Sequence, residues 1–323
     1  MRASDPDLEV FVSIGKGQPQ YLGPTETWIE PEVDVYAYID WVRDIIRVHA
    51  IDIFIPTHHR EWIAAAGDLG CRVETPAAMP TIALLEDKFA FANELAGEPF
   101  HLATQAIVSS HALTTELERF NTQHPEPAMP CVKPRHGVNG LGFWKLSATT
   151  NPMAHLTNPE TRTIRSDIYI HALAAQESGG AIDALVLMEY LPGPEVSFDI
   201  LAHSGELLKY AARTKVGGNR QRIETAHPLA ESVAWLVRRF RLTGIVNAQF
   251  RRSNNGEWKL LEINARPAGG IVYSEKVGCG LIADWAGILT GRVTPEEVTP
   301  RAMRTDIMLS TAVQEVSFIQ EEA

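Results

Sequence analysis

Glu262, Asn264 and Arg266 stand at every second position of one run, and Asn247 and Gln249 repeat that spacing upstream. Alternate residues of a β-strand share a face, so the acid, amide and guanidine project together while Leu261, Ile263 and Ala265 take the other side. The two runs flank Ser253-Asn254-Asn255-Gly256, and Asn-Gly between apolar-laced runs is a strong hairpin signal. A loop of Asn255 and Gly256 alone sets Gln249 opposite Glu262 and Asn247 opposite Asn264. One face then gathers a carboxylate, up to three amide oxygens and a guanidinium, just before Gly269-Gly270. Such a hard-oxygen set suits Mg²⁺ when phosphates supply the remaining ligands. A solvated face is the ordinary reading of a polar strand. Clustering of one acid with uncharged oxygen donors, in place of scattered Lys and Glu, favours a metal.

A second group of residues suits phosphate. Met129–Pro134 reads as a strand ending in Lys133, and His136–Gly142 follows with glycines at 137, 140 and 142. These permit the positive-φ turns that aim backbone N–H groups at phosphate oxygens. No Gly-Lys-Ser/Thr closes the loop, so it is not a Walker A motif. Gly15 and Gly17 make no dinucleotide fingerprint either, because Gln20 stands where the third glycine belongs.

Leu260–Gly270, LLEINARPAGG, resembles the C-terminal metal-binding strand of ATP-grasp enzymes, the superfamily of carboxylate–amine ligases, biotin carboxylase and carbamoyl-phosphate synthetase. Asp87-Lys88 at a helix entry, Lys133 with its glycine loop, EYLPGPE at Glu189–Glu195 and NAQF at Asn247–Phe250 occur in the family's order. The resemblance covers most of residues 80–290 and implies an α/β fold of the α+β ATP-grasp type. It implies Lys88 and Lys133 on the phosphates, with Gly137 and Gly140 in a loop closing over them. The Glu189 carbonyl and Leu191 N–H would face adenine, and Glu195 would take the ribose hydroxyls. Glu262 would bridge two Mg²⁺ ions, or Mn²⁺, with Gln249 and Asn264 completing their shells. Arg266 would stabilise the phosphoryl group in transfer or the substrate carboxylate. Many relatives carry an acid where Gln249 stands, and glutamine is more similar to the carbamoyl-phosphate synthetase branch.

The implied activity is ATP-dependent C–N ligation. A carboxylate becomes an acyl phosphate, an amine displaces phosphate, and ADP and phosphate leave. An ATP-grasp phosphotransferase or bicarbonate-activating enzyme shares the nucleotide site, and a silent ATP-binding module is the alternative from another class. Intact lysines and metal ligands argue against silence. Arg213, Lys215, Arg220 and Arg222 surround Gly217-Gly218. The family places a loop closing over the acyl acceptor there, so Arg213 is the expected catalytic partner of Arg266. A solvated charged face competes at even weight.

The elements that must position these groups follow from periodicity. Val10–Ile14, Ile51–Pro56 and Arg72-Val73 read as strands, and Val35–His49 and Glu61–Leu69 as helices, a small open α/β unit over residues 1–80. Residues 81–323 form the ATP-grasp domain, with a lid at about 103–188. There, helices over Thr114–Phe120 and Arg165–Glu177 cover strands at Gln105–Ser109, Phe143–Leu146 and Ala184–Leu191. Leu229–Phe240 and Leu281–Leu289 are further helices, and the tail from Thr294 carries no motif.

With 323 residues and 45% hydrophobic content, the chain has material for about two domains. Its net charge of −11 argues against nucleic-acid and anionic-membrane binding. Three scattered cysteines, no apolar leader and no run of membrane-spanning length indicate a reduced, cytoplasmic protein. Its partners are small-molecule carboxylates and amines, and a homodimer is compatible. Cys131, two residues before Lys133, reads as a buried strand thiol.

Overall fold

A computed structural model of the chain describes residues 6–19, 23–124, 127–137, 140–217 and 219–309. Two compact units interleave along it. Met1–Met79, Asp199–Val246 and Arg266–Ala323 make the first, Pro80–Phe198 and Asn247–Ala265 the second.

The first unit opens with β1 (Phe11–Ile14) and β2 (Glu26–Ile29), paired in parallel. α1 (Val35–Val48) starts where Asp34 accepts from the Ala37 N–H. It buries Tyr38, Ile39, Val42 and Ile46, a spacing that lines one helix face. That face packs against Ile63 and Leu69, around α2 (Arg60–Ala65). β3 (Ile53–Phe54) and β4 (Arg72–Val73) form a separate parallel pair. Among the described residues these are two separate two-stranded ladders, and β2, whose sequence ETWI carries no alternation, is not among the strands expected from the sequence.

α3 (Met79–Glu86) leads into the second unit, where α4 (Lys88–Glu94) is capped by the Asp87 carboxylate through the N–H groups of Phe89 and Ala90. A five-stranded sheet follows, built from β5 (Thr104–Ile107), β6 (Pro130–Pro134), β7 (Trp144–Ser147), β8 (Thr163–Arg165) and β9 (Leu185–Glu189). Their order is β5-β9-β6-β7-β8. α5 (Ser110–Gln123), a short α6 (Ala154–Thr157) and α7 (Ser166–Gly179) connect the strands. Alternation sorts the side chains into two layers. Ile107, Val132, Leu146, Leu185 and Leu187 pack with Leu113, Leu117 and Leu173 of α5 and α7. Cys131, Val186 and Met188 face the opposite way, toward Leu102 and Leu191.

β10 (Glu195–His203) and β13 (Gly244–Arg252) each pass from one unit into the other. In the first unit β10 continues a sheet with β11 (Glu206–Gly217), β12 (Arg220–Glu224) and β15 (Arg304–Met308), in that order. Leu201, Ala211, Ile223 and Ile245 form its core with Ile271 and Leu281. α8 (Ala230–Arg239), α9 (Ile271–Lys276) and α10 (Leu281–Leu289) complete that unit. In the second unit β13 pairs with β14 (Trp258–Asn264). The tail is not featureless: β15 pairs antiparallel with β12, Asp306 opposite Arg222. Among the described residues no helix is long and apolar enough to cross a membrane.

The α4 cap is also an ion pair. Arg135, just past β6, donates from Nε to Asp87 at 2.7 Å and from Nη2 to the second oxygen. The Arg135 hydrogen bonds hold the Asp87 carboxyl well down, at about 2. A depressed carboxyl stabilises the fold above its unfolded value and loses that contribution as pH falls through the folded one. Asp87→Asn, which keeps a cap but removes the charge, is expected to cost about 1–2 kcal/mol near neutral pH. That deficit should vanish between about pH 4 and about pH 2. Urea unfolding of both proteins across this range measures it, and a deficit constant with pH would mean the charge is idle.

Candidate active site

β13 and β14 pair with Asn247 opposite Asn264 and Gln249 opposite Glu262, the register expected from the sequence. The route to it differs. Arg252 pairs with Trp258, and the Ser253 N–H donates to the Glu257 carbonyl at 2.8 Å. The loop is therefore Asn254-Asn255-Gly256, with Gly256 at φ 85°, a three-residue connection ending in a left-handed residue. One extra loop residue slips the register by one and would turn Glu262 to the opposite face. A bulge between Gln249 and Phe250 reverses the slip, with Leu261 as the extra residue. Leu261 is thereby taken off the face expected for it and packs against the cluster of Leu102, Cys131, Val186, Met188 and Leu191.

The amide nitrogens near Glu262 are engaged. Asn264 Nδ2 donates to Glu262 Oε1 at 2.9 Å, and Gln249 Nε2 to Asn247 Oδ1 at 3.3 Å. Asn247 is fully buried and donates to Ser197 Oγ and the Phe198 carbonyl, both at 2.9 Å. Asn247 is thus a brace, and Gln249, Glu262 and Asn264 are the oxygen donors left for a cation. One carboxylate with two amides fits Mg²⁺, which draws further oxygens from phosphate.

Lys133 and Lys88 complete this corner. Burial lowers both ammonium pKa values below the ordinary lysine value; Lys133 adds to the effect on Lys88, and the Glu262 carboxylate opposes it at both. Lys88 Nζ donates to the Gly137 carbonyl at 2.8 Å. Gly137 and Gly140 take φ of 138° and 66°, and a Cβ at Gly142 would meet Pro134 Cγ at 2.8 Å. Val138 and Asn139, in the middle of that loop, lie outside the described residues.

The apolar sleeve follows from β9. Its last ladder bond runs from the Tyr190 N–H to the Met129 carbonyl at 2.7 Å. The chain next touches β13 where Gly193 N–H donates to the Arg252 carbonyl at 3.0 Å. Glu189 and Leu191 lie at this strand exit, with Leu191 2% exposed, and Glu195 opens β10. Residues not singled out in the sequence also line this face. Lys145 sits opposite Cys131 with its Nζ 4.9 Å from the Tyr190 ring centre. Arg251 bridges the Gly193 carbonyl at 3.1 Å and the Tyr190 hydroxyl at 3.4 Å. It also reaches Glu195 at 3.9 Å. Signals existed for both: Lys145 interrupts an apolar strand, and Arg251 continues the Asn247, Gln249 alternation. Cys131 is buried as expected, and burial pushes its thiol up to about 12.

The two arginines belong to the other unit. β14 ends at Asn264, so strand alternation does not extend to Arg266, whose Nη1 donates to the Pro267 carbonyl at 3.2 Å. Arg213 lies within β11 rather than on a mobile loop. It is 5% exposed and grips Asp199 with two bonds of 2.6 and 3.0 Å. Its Nη1 donates to Gln221 at 2.9 Å, and Ser274 Oγ donates to Asp199 at 2.6 Å. Gly270 admits this guanidinium, since a Cβ there would lie 2.3 Å from Arg213 Nη1. Gly217 ends β11 beside a bulge; Gly218 is outside the described residues. Arg220 and Arg222 pair with Asp306. Neither the mobile loop nor the solvated face describes Arg213.

A family model described as "ATP-grasp in the biosynthetic pathway with Ter operon" matches residues 181–313. No curated protein matches the chain by sequence. Among solved structures, Rhizobium etli pyruvate carboxylase aligns over 93% of this chain and 28% of its own, at 17% identity and a TM-score of 0.62. Campylobacter jejuni biotin carboxylase, solved with a β,γ-ATP compound, aligns over 90% and 68% at 13% identity and 0.60. Bacillus anthracis D-alanine–D-alanine ligase, complexed with ATP, aligns over 90% and 99% at 14% and 0.55. The chain thus spans just over a quarter of the first and two thirds of the second. It has the ATP-grasp fold, and the family model itself matches residues 181–313 of the chain.

A buried charge pair that loses one member leaves the other uncompensated. Arg213→Ala is therefore expected to destabilise the fold by about 3–5 kcal/mol. Arg213→Met combined with Asp199→Leu should recover more than half of that in urea unfolding. Full stability of Arg213→Ala would return Arg213 to a substrate-facing role.

Proposed function

We propose that the chain is an ATP-dependent ligase that activates a small carboxylate as an acyl phosphate and couples it to an amine. The observation that supports this most is the corner of Lys88, Lys133 and Glu262, with two amide oxygens, beside an apolar sleeve. In this reading adenine enters between Leu261 and the sheet residues Val186 and Met188, with the Glu189 carbonyl and Leu191 N–H on its edge. Glu195 takes the ribose, with Arg251 holding its carboxylate. The phosphates replace the Gly137 carbonyl on Lys88 and reach Lys133.

Gln249, Glu262 and Asn264 would hold magnesium, which neutralises charge between the β- and γ-phosphates. Lys133, partly desolvated, spreads the charge that develops on the transferred group. A carboxylate oxygen attacks the γ-phosphorus, and the bond to ADP breaks. The amine then attacks the acyl carbon, phosphate departs with the C–O bonding pair, and the amine loses its proton. Arg266 is the proposed partner of the transferred group or the carboxylate; Arg213 would act on the acceptor only by shaping Gly270. The proposed setting is cytoplasmic, with small-molecule partners.

Incubation with Mg²⁺-ATP and a panel of amino acids, bicarbonate and amines tests this by ADP and phosphate release. ADP release that needs both a carboxylate and an amine is the expected result; AMP release, or ADP release with a hydroxyl acceptor alone, would exclude it. Glu262→Gln is expected to lower turnover by ~10²–10³-fold or more with an unchanged circular dichroism spectrum. Retained turnover at saturating magnesium would overturn the metal assignment.

A further inference from the structure

Far from these residues in sequence, the first unit brings together Glu30, His58 and His59. One ligand atom from each lies within 4.8 Å of the other two. We propose that these residues bind one divalent transition-metal cation of the zinc type, tying the exit of β2 to the entry of α2.

Neighbouring side chains on extended backbone point to opposite sides. His59 escapes that rule by adopting φ 50° and ψ 26°, the left-handed region that non-glycine residues seldom take. The two imidazoles are thereby turned together, with ring centres 4.7 Å apart and planes at 64°. His59 is held there by stacking on Trp62, 4.0 Å between centres and 9° between planes, and by the Tyr38 ring at 5.0 Å. Burial and the adjacent His58 lower the His59 pKa below the ordinary value, against an opposing effect of Glu30.

Each donor is also oriented from outside. Glu30, with its side chain 10% exposed, accepts from Ser13 Oγ at 2.6 Å. Its other oxygen lies 2.5 Å from His58 Nε2. His58 Nδ1 lies 3.3 Å from Thr57 Oγ1. A metal-bound histidine characteristically uses its second ring nitrogen in this way, and metal-bound carboxylates are likewise hydrogen-bonded. Two imidazoles and one carboxylate are a recurrent zinc donor set that leaves a fourth position for water. Metal bonds of about 2.0–2.1 Å draw the donors closer than they stand, a movement within side-chain rotation. An ordinary Glu30–His58 hydrogen bond would need no second imidazole turned toward it. Zn²⁺ would displace the proton shared by that pair.

Zinc titration of the chelator-stripped full chain, in competition with a chromophoric chelator near neutral pH, tests the site. One Zn²⁺ per chain is expected, with affinity falling about 100-fold or more in His58→Ala/His59→Ala and about 10-fold in Ser13→Ala. Zinc should raise the melting temperature of the wild type and not of the double variant. Glu30→Gln, which keeps the shape and an acceptor for Ser13, should lose zinc while retaining the wild-type circular dichroism spectrum. Zinc binding that survives in both ligand variants, or no stoichiometric binding by the wild type, overturns the proposal. So does binding abolished by Glu262→Gln but not by the histidine variants, which would place the ion on the β14 oxygens.

Discussion

Lys88 and Lys133 carry ammonium groups that burial penalises, and Glu262 is the acid whose field offsets that penalty at both. Asp87 also acts on Lys88 but is paired with Arg135, which leaves Glu262 against two cations, and any magnesium it holds would add positive charge. The corner therefore carries a standing demand for anions, which the phosphates of a nucleotide would meet. The Gly137 carbonyl supplies a partial negative charge to Lys88. Cys131 shares the Lys133 face of β6, and burial raises its pKa, which disfavours a thiolate there.

Everything at that corner depends on Glu262 facing the lysines, and the hairpin secures this through two irregularities that cancel. The three-residue loop slips β14 by one position, and the bulge at Leu261 restores it. The bulge has a second effect, because it delivers an apolar side chain to the sleeve beside Glu262. A regular ladder could not place Leu261 and Glu262 on the same side.

The sequence made this hairpin legible because Asn-Gly punctuation and alternating side chains are local signals, and the facing of Glu262 and Gln249 survives any pair of compensating slips. The bulge was not legible, since a two-residue loop explains the same pairing more simply. Four strands of the five-stranded sheet could be read from apolar runs, those at Pro130–Pro134 and Leu185–Glu189 among them, whereas the three residues of β8 (Thr163–Arg165) are too short a run to carry a pattern. An apolar run alone does not show which of its residues share a face, and Lys145 on β7 was passed over for the same reason. The Asp87–Arg135 pair joins positions far apart in the chain, so charge pattern alone could not connect them. The clustering of Glu30 with His58 was hidden for the same reason.

Arg213–Arg222 shows how a charge run dissolves once strands form. Arg213 points into the first unit's core, while Arg220 and Arg222 meet Asp306 on β15. One stretch thus supplies a buried pair and an exposed one, and the acid for the exposed pair comes from a tail that looked featureless. Arg213 is held from four sides, by Asp199, Gln221, the missing side chain of Gly270 and, through Asp199, Ser274. A guanidinium held in this way would need its Asp199 contacts broken before it could bind a substrate carboxylate with both arms, at the cost of leaving a buried carboxylate unpaired. Its effect on chemistry would instead run through Gly270, whose lack of a side chain the guanidinium requires. That residue closes the LEINARPAGG segment, so the link between the buried pair and Arg266 is one of chain geometry rather than of charge.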